Sequence, residues 1–307
     1  MYDVIILGGG PAGLTAGLYA ARYKLKTLLL EKQYLLGGSM LDTWAIENYP
    51  GFEKPINGLE LSEKMHKQAE IAGLEIISEN VIEVDLKGEV KRFKTDDESE
   101  YSAKTAIICT GSSPSKLNIP GEDEFRGKGV SYCGTCDAPF FKERVVAVVG
   151  GGNTAVSEAM YLSKYASKVY LIHRRNKLRA DKVMSDRAKN NEKIEILWNS
   201  TVQKINFHNF SDKHIIIWNN LEKSESKLKA TGIFIFVGIK PNNEMLNNQI
   251  ELTEYGFIDA DEKTLQTNID KVYAAGDIRN KNLRQIVTAA GDGAITAYEI
   301  NTLLNEY

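Results

Sequence analysis

Two cysteines separated by two residues, Cys133 and Cys136 in "SYCGTCDAPFF", are the side chains here best able to change oxidation state. Such a pair can be half of a tetrahedral metal site, a dithiol that opens and closes, or two inert buried thiols. A four-ligand zinc site needs a second pair, and the one remaining cysteine, Cys109, lies inside the apolar run "AIICTG". His66, His173, His208 and His214 have no ligand spacing to the pair. No metal is expected, and Cys109 reads as a small core residue. A redox dithiol makes physical sense: two-residue spacing lets the thiols close a reducible ring, and the thiolate attacks a flavin or a partner disulfide. Asp137 follows at once. In a low-dielectric pocket its carboxyl could keep a proton for the thiol; on a surface it would be a turn residue.

The elements that must position this pair announce themselves by glycine. The chain opens with strand-like "DVIILGG", the turn "GGGPAG", an Ala- and Leu-rich helix pattern and strand-like "KTLLLEK". Gly8, Gly10 and Gly13 occupy the G-x-G-x-x-G places. They allow, in order, the tight turn, close approach to a pyrophosphate, and close packing of helix on strand. The phosphates then sit on the positive end of the helix. Glu31 ends the second strand eighteen positions after Gly13, where an acid can take both hydroxyls of a ribose.

The same pattern returns in "RVVAVVGGGNTAVSEAMYLSKYASKVYLIHRR", which lays over the first unit without a gap. Gly8 meets Gly150, Gly10 meets Gly152, and Gly13 meets the small Ala155. Where the first unit has Glu31 the second has His173, followed by Arg174, Arg175 and Arg179. A carboxylate repels a 2′-phosphate, whereas guanidinium forks bind one with charge-assisted hydrogen bonds. The first unit thus suits an adenosine with a free ribose and the second suits NADPH; elsewhere "HRRNKLR" would read as a solvated basic turn. Two dinucleotide folds in one chain most commonly pair a flavin with a nicotinamide.

Three further segments agree with FAD in the first unit. "TAIICTG" and "KVYAAGD" read as buried strands, the second with Asp277 at its carboxyl end, where α/β sheets bind ligands. Alone, Asp277 would be a turn residue or helix cap. "LRQIVTAAGDGAITAYEINTLL" reads as a long helix beginning near Arg284 and Gln285. Its N-terminus would stabilise the negative charge of a reduced flavin. The expected fold is α/β, two Rossmann-like dinucleotide-binding domains, with the NADPH domain (116–244) inserted into the FAD domain (1–115 and 245–307). Gly-, Pro- and Ser-rich "GSSPSKLNIPGEDEFRGKG" marks one crossing and "IFVGIKPNNEML" the return, and two crossings suggest a hinge. Residues 208 to 230 read as a peripheral hairpin.

With 307 residues, 43% hydrophobic and 26% charged, the chain has the composition of a soluble globular protein with two cores. A net charge of −3 gives no reason to expect nucleic acid or a membrane surface. No apolar run reaches the roughly 20 residues of a membrane span, and no signal-peptide pattern opens the sequence. Three cysteines do not make a disulfide framework, so a cytoplasmic setting is expected.

Taken together, "GGGPAGLTAGLYAAR", "IENYPGF", "CGTCDAPFF", "GGGNTAVSEA", "HRRNKLRA" and "AAGDIRNKNLRQIVTAAGDGAITA" resemble the low-molecular-weight thioredoxin reductases of bacterial and archaeal type, over essentially the whole chain. The resemblance implies a homodimeric NADPH-dependent thioredoxin-disulfide reductase. Hydride would pass from NADPH to FAD, electrons to a Cys133–Cys136 disulfide, and thiol exchange would reduce thioredoxin or a thioredoxin-like protein. It assigns to FAD the loop residues Gly8, Gly10, Pro11, Ala12 and Gly13, then Glu31, Lys32, Gly37, Gly38, Asn48, Val81, Thr110 and Gly111. Gly276, Asp277, Arg284, Gln285 and Ile286 complete that set. To NADPH it assigns Gly150, Gly152, Asn153, Thr154, Ala155, His173, Arg174, Arg175 and Arg179. Cys133, Cys136 and Asp137 are the catalytic set, with Cys136 nearer the flavin, and two alternating domain orientations are implied. Departures are small: Ser39 stands where many relatives have Gln, Gly134 where Ala is commoner, and "DAP" where Asp-Gly is frequent.

Three rival readings each miss a feature of the sequence. A ferredoxin– or flavodoxin–NADP reductase has no use for the C-x-x-C. A flavoprotein feeding a peroxiredoxin usually carries an extra N-terminal dithiol domain. A redox sensor binding only NADP would not need the flavin residues.

Overall fold

The structure, a computed structural model, describes residues 1–43, 46–209 and 212–305. The chain forms two compact units. One comprises Met1–Leu41, Ile46–Ser113 and the chain from Lys240 on; the other contains Pro114–Ile239. The last two positions of the expected FAD domain, 306 and 307, lie outside the described residues.

The first unit is built on strand Tyr2–Leu7, whose Val4, Ile5 and Ile6 are fully buried, as expected of a parallel strand covered on both faces. It pairs in parallel with Thr27–Leu30 on one side and Glu100–Ile108 on the other. Glu75–Ile77 extends the sheet beyond Thr27–Leu30. The nine-residue strand Glu100–Ile108 has two partners. Its first half pairs antiparallel with Lys91–Thr95, next to Val81–Asp85; its second half pairs in parallel with Val272–Ala274. The C-terminal segment therefore re-enters the sheet that the N-terminus began. Ala106, Ile107 and Ile108, fully buried, carry that junction.

Helix Pro11–Arg22 lies against the C-terminal helix Ile286–Asn305. Small residues make this close: Ala12, Ala16, Ala289 and Ala297 are buried, and a Cβ placed on Gly293 would collide with the Ala12 carbonyl oxygen. Helix Gly58–Ala72 is capped by Asn57, whose Oδ1 accepts the Glu60 N–H at 2.8 Å, and stops at Gly73 with φ +103°.

The second unit repeats the parallel core. Its sheet runs Ile194–Leu197, Lys168–Ile172, Val145–Gly150, Gly232–Phe236 and Val130–Ser131. Helix Asn153–Leu162 follows the second glycine turn. The expected hairpin is formed by His214–Asn219 and Ser224–Lys229, joined to Ser200–Asn206 in a three-stranded antiparallel sheet. The two crossing segments, Ser112–Pro114 and Ile239–Pro241, pair with each other as a two-stranded sheet.

Replacing Gly293 by Val forces the two long helices apart at their closest point. Urea unfolding of Gly293→Val is expected to show a loss of about 1–3 kcal/mol, the usual range for overpacking.

Candidate functional site

The first glycine turn has the conformation its residue types demanded. Gly8 has φ +103°, and a Cβ there would lie 2.5 Å from the Cys109 carbonyl oxygen. Gly10, the helix N-cap, has φ −74° and ψ −175° with nothing within 4 Å of its Cβ position, so its outer face is open. A side chain on Gly13 would strike the Gly8 carbonyl. Pro11 opens the helix, where a missing N–H costs nothing. The Glu31 carboxylate accepts N–H groups from Gly9 at 2.7 Å and Gln33 at 3.0 Å. The Gly37–Gly38 turn comes onto this loop: the Gly37 N–H donates to the Gly9 carbonyl at 2.8 Å, with φ +128° and +55° at the two glycines. Lys32 is exposed beside Glu31, and Val81 begins a strand packed on the core.

Distant segments meet at the C-terminal end of the same sheet. Asn48 Nδ2 donates to Gln285 Oε1 at 3.0 Å across 237 residues of sequence. The Thr110 hydroxyl donates to the Asn242 carbonyl at 2.7 Å, and Asn242 Nδ2 donates back to the Thr110 carbonyl at 2.8 Å, beside Gly111 at φ +68°. Ile286 packs with Met40, Ile46, Ile56 and Leu61. Gly276, at φ +81°, presents Asp277. Burial raises the Asp277 pKa against the pull of Lys281 and Arg284. Its Oδ1 and the Nε of Arg284 are buried with no partner among the described residues. A buried acceptor and a buried donor left open fit a ligand with hydroxyl groups, as the ribityl chain of FAD has. The open face of Gly10 fits its pyrophosphate.

Asp292, which the sequence reading missed, anchors this corner from the last helix. Its Oδ2 accepts the Gly276 N–H at 2.9 Å, Arg279 Nε at 2.9 Å and Lys281 Nζ at 2.7 Å. The available signal was an acid within the otherwise apolar stretch "IVTAAGDGAITA".

In the second unit the turn is repeated, most closely at the glycine that caps the helix. Gly152 caps its helix at φ −88° and ψ −179°, with the same open outer face as Gly10. Gly150 has φ +151°, and Ala155 is fully buried against it. Asn153 and Thr154 are exposed at the helix start, and Asn153 exchanges two hydrogen bonds with Asp181, at 2.8 and 3.1 Å. The basic cluster divides in two. Arg174, Arg175 and Arg179 are exposed, while His173 is 4% exposed beneath Gly151, its Nε2 3.0 Å from the Lys177 carbonyl. Burial lowers the His173 pKa, and Arg179 and Arg175 act in the same direction, so the ring is a neutral prop. The N–H groups of Arg179 and Ala180 both donate to the Gly151 carbonyl, at 2.7 and 3.1 Å, which pins the arginine turn to the glycine turn.

Cys133 and Cys136 are joined by a disulfide with Cα atoms 5.4 Å apart. Cys133 is the N-cap of the short helix Gly134–Asp137. Ser131, in the last position of its strand, holds the entry: its Oγ accepts the Cys133 N–H at 3.1 Å and also bonds Asp137. Burial raises the Asp137 pKa, and the Ser131 bond opposes it. Cys109 is a buried free thiol whose pKa burial pushes far up, so it stays protonated and unreactive. Among the described residues no cluster of His, Cys, Asp or Glu could hold a metal ion, and no helix is long and apolar enough to cross a membrane.

The pyridine nucleotide-disulphide oxidoreductase family matches residues 2–293. Thioredoxin reductase of Peptoclostridium acidaminophilum is 44% identical over 302 residues, 97% of this chain and 95% of that protein. That of Bacillus subtilis is 43% identical over 306 residues, covering 100% and 96%. The crystal structure of thioredoxin reductase from Streptococcus pyogenes superposes with a TM-score of 0.92 at 40% identity, covering 100% of this chain and 99% of that one.

Removing the Asp292 carboxylate leaves two buried cations, Arg279 and Lys281, without their counter-charge. Asp292→Ala is expected to lose about 3 kcal/mol in urea unfolding, the scale for breaking a buried ion pair from one side.

Proposed function

The chain belongs to the thioredoxin reductases, within the pyridine nucleotide-disulphide oxidoreductase family, and on that premise we propose that it carries reducing equivalents from NADPH, through FAD, to the disulfide of thioredoxin or a thioredoxin-like protein. The observation that carries this reading is the Cys133–Cys136 disulfide with the half-buried Asp137 carboxyl following it in the same short helix. A closed C-x-x-C can take up two electrons and pass them on by thiol exchange, which gives this chain an acceptor of its own.

FAD, when bound, supplies the two-electron relay between nicotinamide and disulfide. The Gly8–Gly13 turn, Glu31, Asn48, Asp277, Arg284 and Gln285 would bind and orient it. Glu31 would take ribose hydroxyls with the lone pairs its two backbone bonds leave free. Asp277 and Arg284, each with an open polar atom, would receive the flavin-side chain. In the second unit Gly152 and the helix N-terminus behind it would take the pyrophosphate of NADPH. Arg174, Arg175 and Arg179 would take the 2′-phosphate, with His173 holding their turn in place.

Opening the disulfide consumes two electrons and two protons. Asp137 is suited to hold one of those protons near Cys133, because burial favours its neutral form. The thiolate then attacks the partner disulfide, and the second thiol resolves the mixed disulfide, restoring the Cys133–Cys136 bond. Cys136 is the thiol assigned to the flavin side. The paired crossings, Ser112–Pro114 with Ile239–Pro241, support a two-segment hinge by which one flavin serves both nicotinamide and disulfide in turn. A homodimer in the cytoplasm completes the proposal; it draws on the family and on the sparse cysteines of the sequence.

Anaerobic titration with NADPH, watched at the flavin band, tests the electron path. The protein is expected to take up one more pair of reducing equivalents than Cys136→Ser. Equal uptake would disconnect the cysteines from the flavin and sink the proposal. The raised pKa of Asp137 also fixes a pH trend. The carboxyl keeps its proton at low pH and loses it as pH rises through that raised value, so thioredoxin reduction should fall with rising pH. Asp137→Asn should remove this step from the pH profile and slow turnover by about a hundredfold, the lower range for general acid–base catalysis.

A further inference from the structure

Between the two cysteines stand Gly134 and Thr135, and a glycine there leaves the turn with more freedom than any other residue would. The structure offsets that looseness from outside. Glu158, on helix Asn153–Leu162, reaches the turn and accepts a hydrogen bond from the Thr135 backbone N–H. Its Oε2 is buried with no partner among the described residues and occupies the place where a Cβ on residue 134 would be. A Cβ at 134 would meet that oxygen, so any residue larger than glycine makes the carboxyl shift from the position in which it reaches Thr135.

We propose that Glu158 is a positioning residue for the redox pair, clamping the Cys133–Cys136 turn through Thr135, with Gly134 as the vacancy that admits it. The clamp acts on effective concentration. Two thiols held in one turn meet more often than two thiols on a loose one, so the clamp favours the closed disulfide over the dithiol. Burial raises the Glu158 pKa, which makes glutamine the matching replacement, since its carbonyl oxygen can still accept the Thr135 N–H. The proposal deepens the disulfide-reductase reading and rests on it for its meaning. Its test needs neither NADPH nor thioredoxin, so the two can fail separately.

The full-length flavoprotein is equilibrated in mixtures of reduced and oxidised dithiothreitol, quenched with acid, alkylated, and the Cys133–Cys136 peptide weighed in both states. Glu158→Ala and Gly134→Ala are each expected to shift the equilibrium toward the dithiol by about tenfold, with Glu158→Gln within about twofold of the parent. The double variant Gly134→Ala/Glu158→Ala should be no worse than either single change, because both remove the same hydrogen bond. Additive effects would overturn the clamp, as would a Glu158→Gln protein that behaves like Glu158→Ala, or no shift in any variant. If Glu158→Ala does not fold, Gly134→Ala against Glu158→Gln decides alone: equal equilibria in those two proteins refute the proposal.

Discussion

The constraint on which the first unit depends is a helix crossing that leaves no room for a side chain at Gly293. Gly293 lies on the Ala12 carbonyl so closely that a single carbon atom would not fit. That contact brings the end of the chain onto its beginning, next to strand Val272–Ala274, which completes the sheet through Ala106 to Ile108. Only with both in place do Gly276 and Asp277 stand at the same sheet edge as Gly8 and Gly10. The buried pairing of Asp292 with Arg279 and Lys281 then fixes the turn that presents Asp277. A charged group is costly to bury unless it is paired, so this network specifies one arrangement and penalises the rest.

One backbone solution is used twice, with the chemistry changed at a single strand end. Gly10 and Gly152 cap their helices with ψ values within a few degrees of one another, both open to a ligand. At the end of the neighbouring strand one unit places a carboxylate and the other an imidazole followed by three arginines. The imidazole is the packing piece of that set. Its ring fills the space under Gly151, where burial favours the neutral form, and leaves the guanidinium groups outside.

Around the disulfide the protein has set carboxyl groups rather than cations. Asp137 and Glu158 are both shifted toward their neutral forms by burial, on elements that touch each other. Neutral carboxyls bring proton capacity without a fixed charge that would oppose a thiolate. Ser131 and Thr135 connect them to the turn through its backbone, so the positions of the cysteines follow from main-chain hydrogen bonds.

The sequence by itself determined what depends on local backbone and on residue type at fixed spacing. Gly8 and Gly150 need positive φ, Pro11 suits a first helical position, and Glu31 and His173 stand at equivalent strand ends; the Cys133–Cys136–Asp137 run also names its own chemistry. Each of these is a property of a few consecutive residues or of two aligned copies of them, and so is legible without a structure. The tertiary structure alone decided the meetings across long separations. Asn48 finds Gln285, Thr110 finds Asn242, Asp292 finds Gly276, and Glu158 fills the space left by Gly134. None of these partners is marked by spacing. They are set by which helix faces which strand, and that follows from packing small residues until the backbones touch.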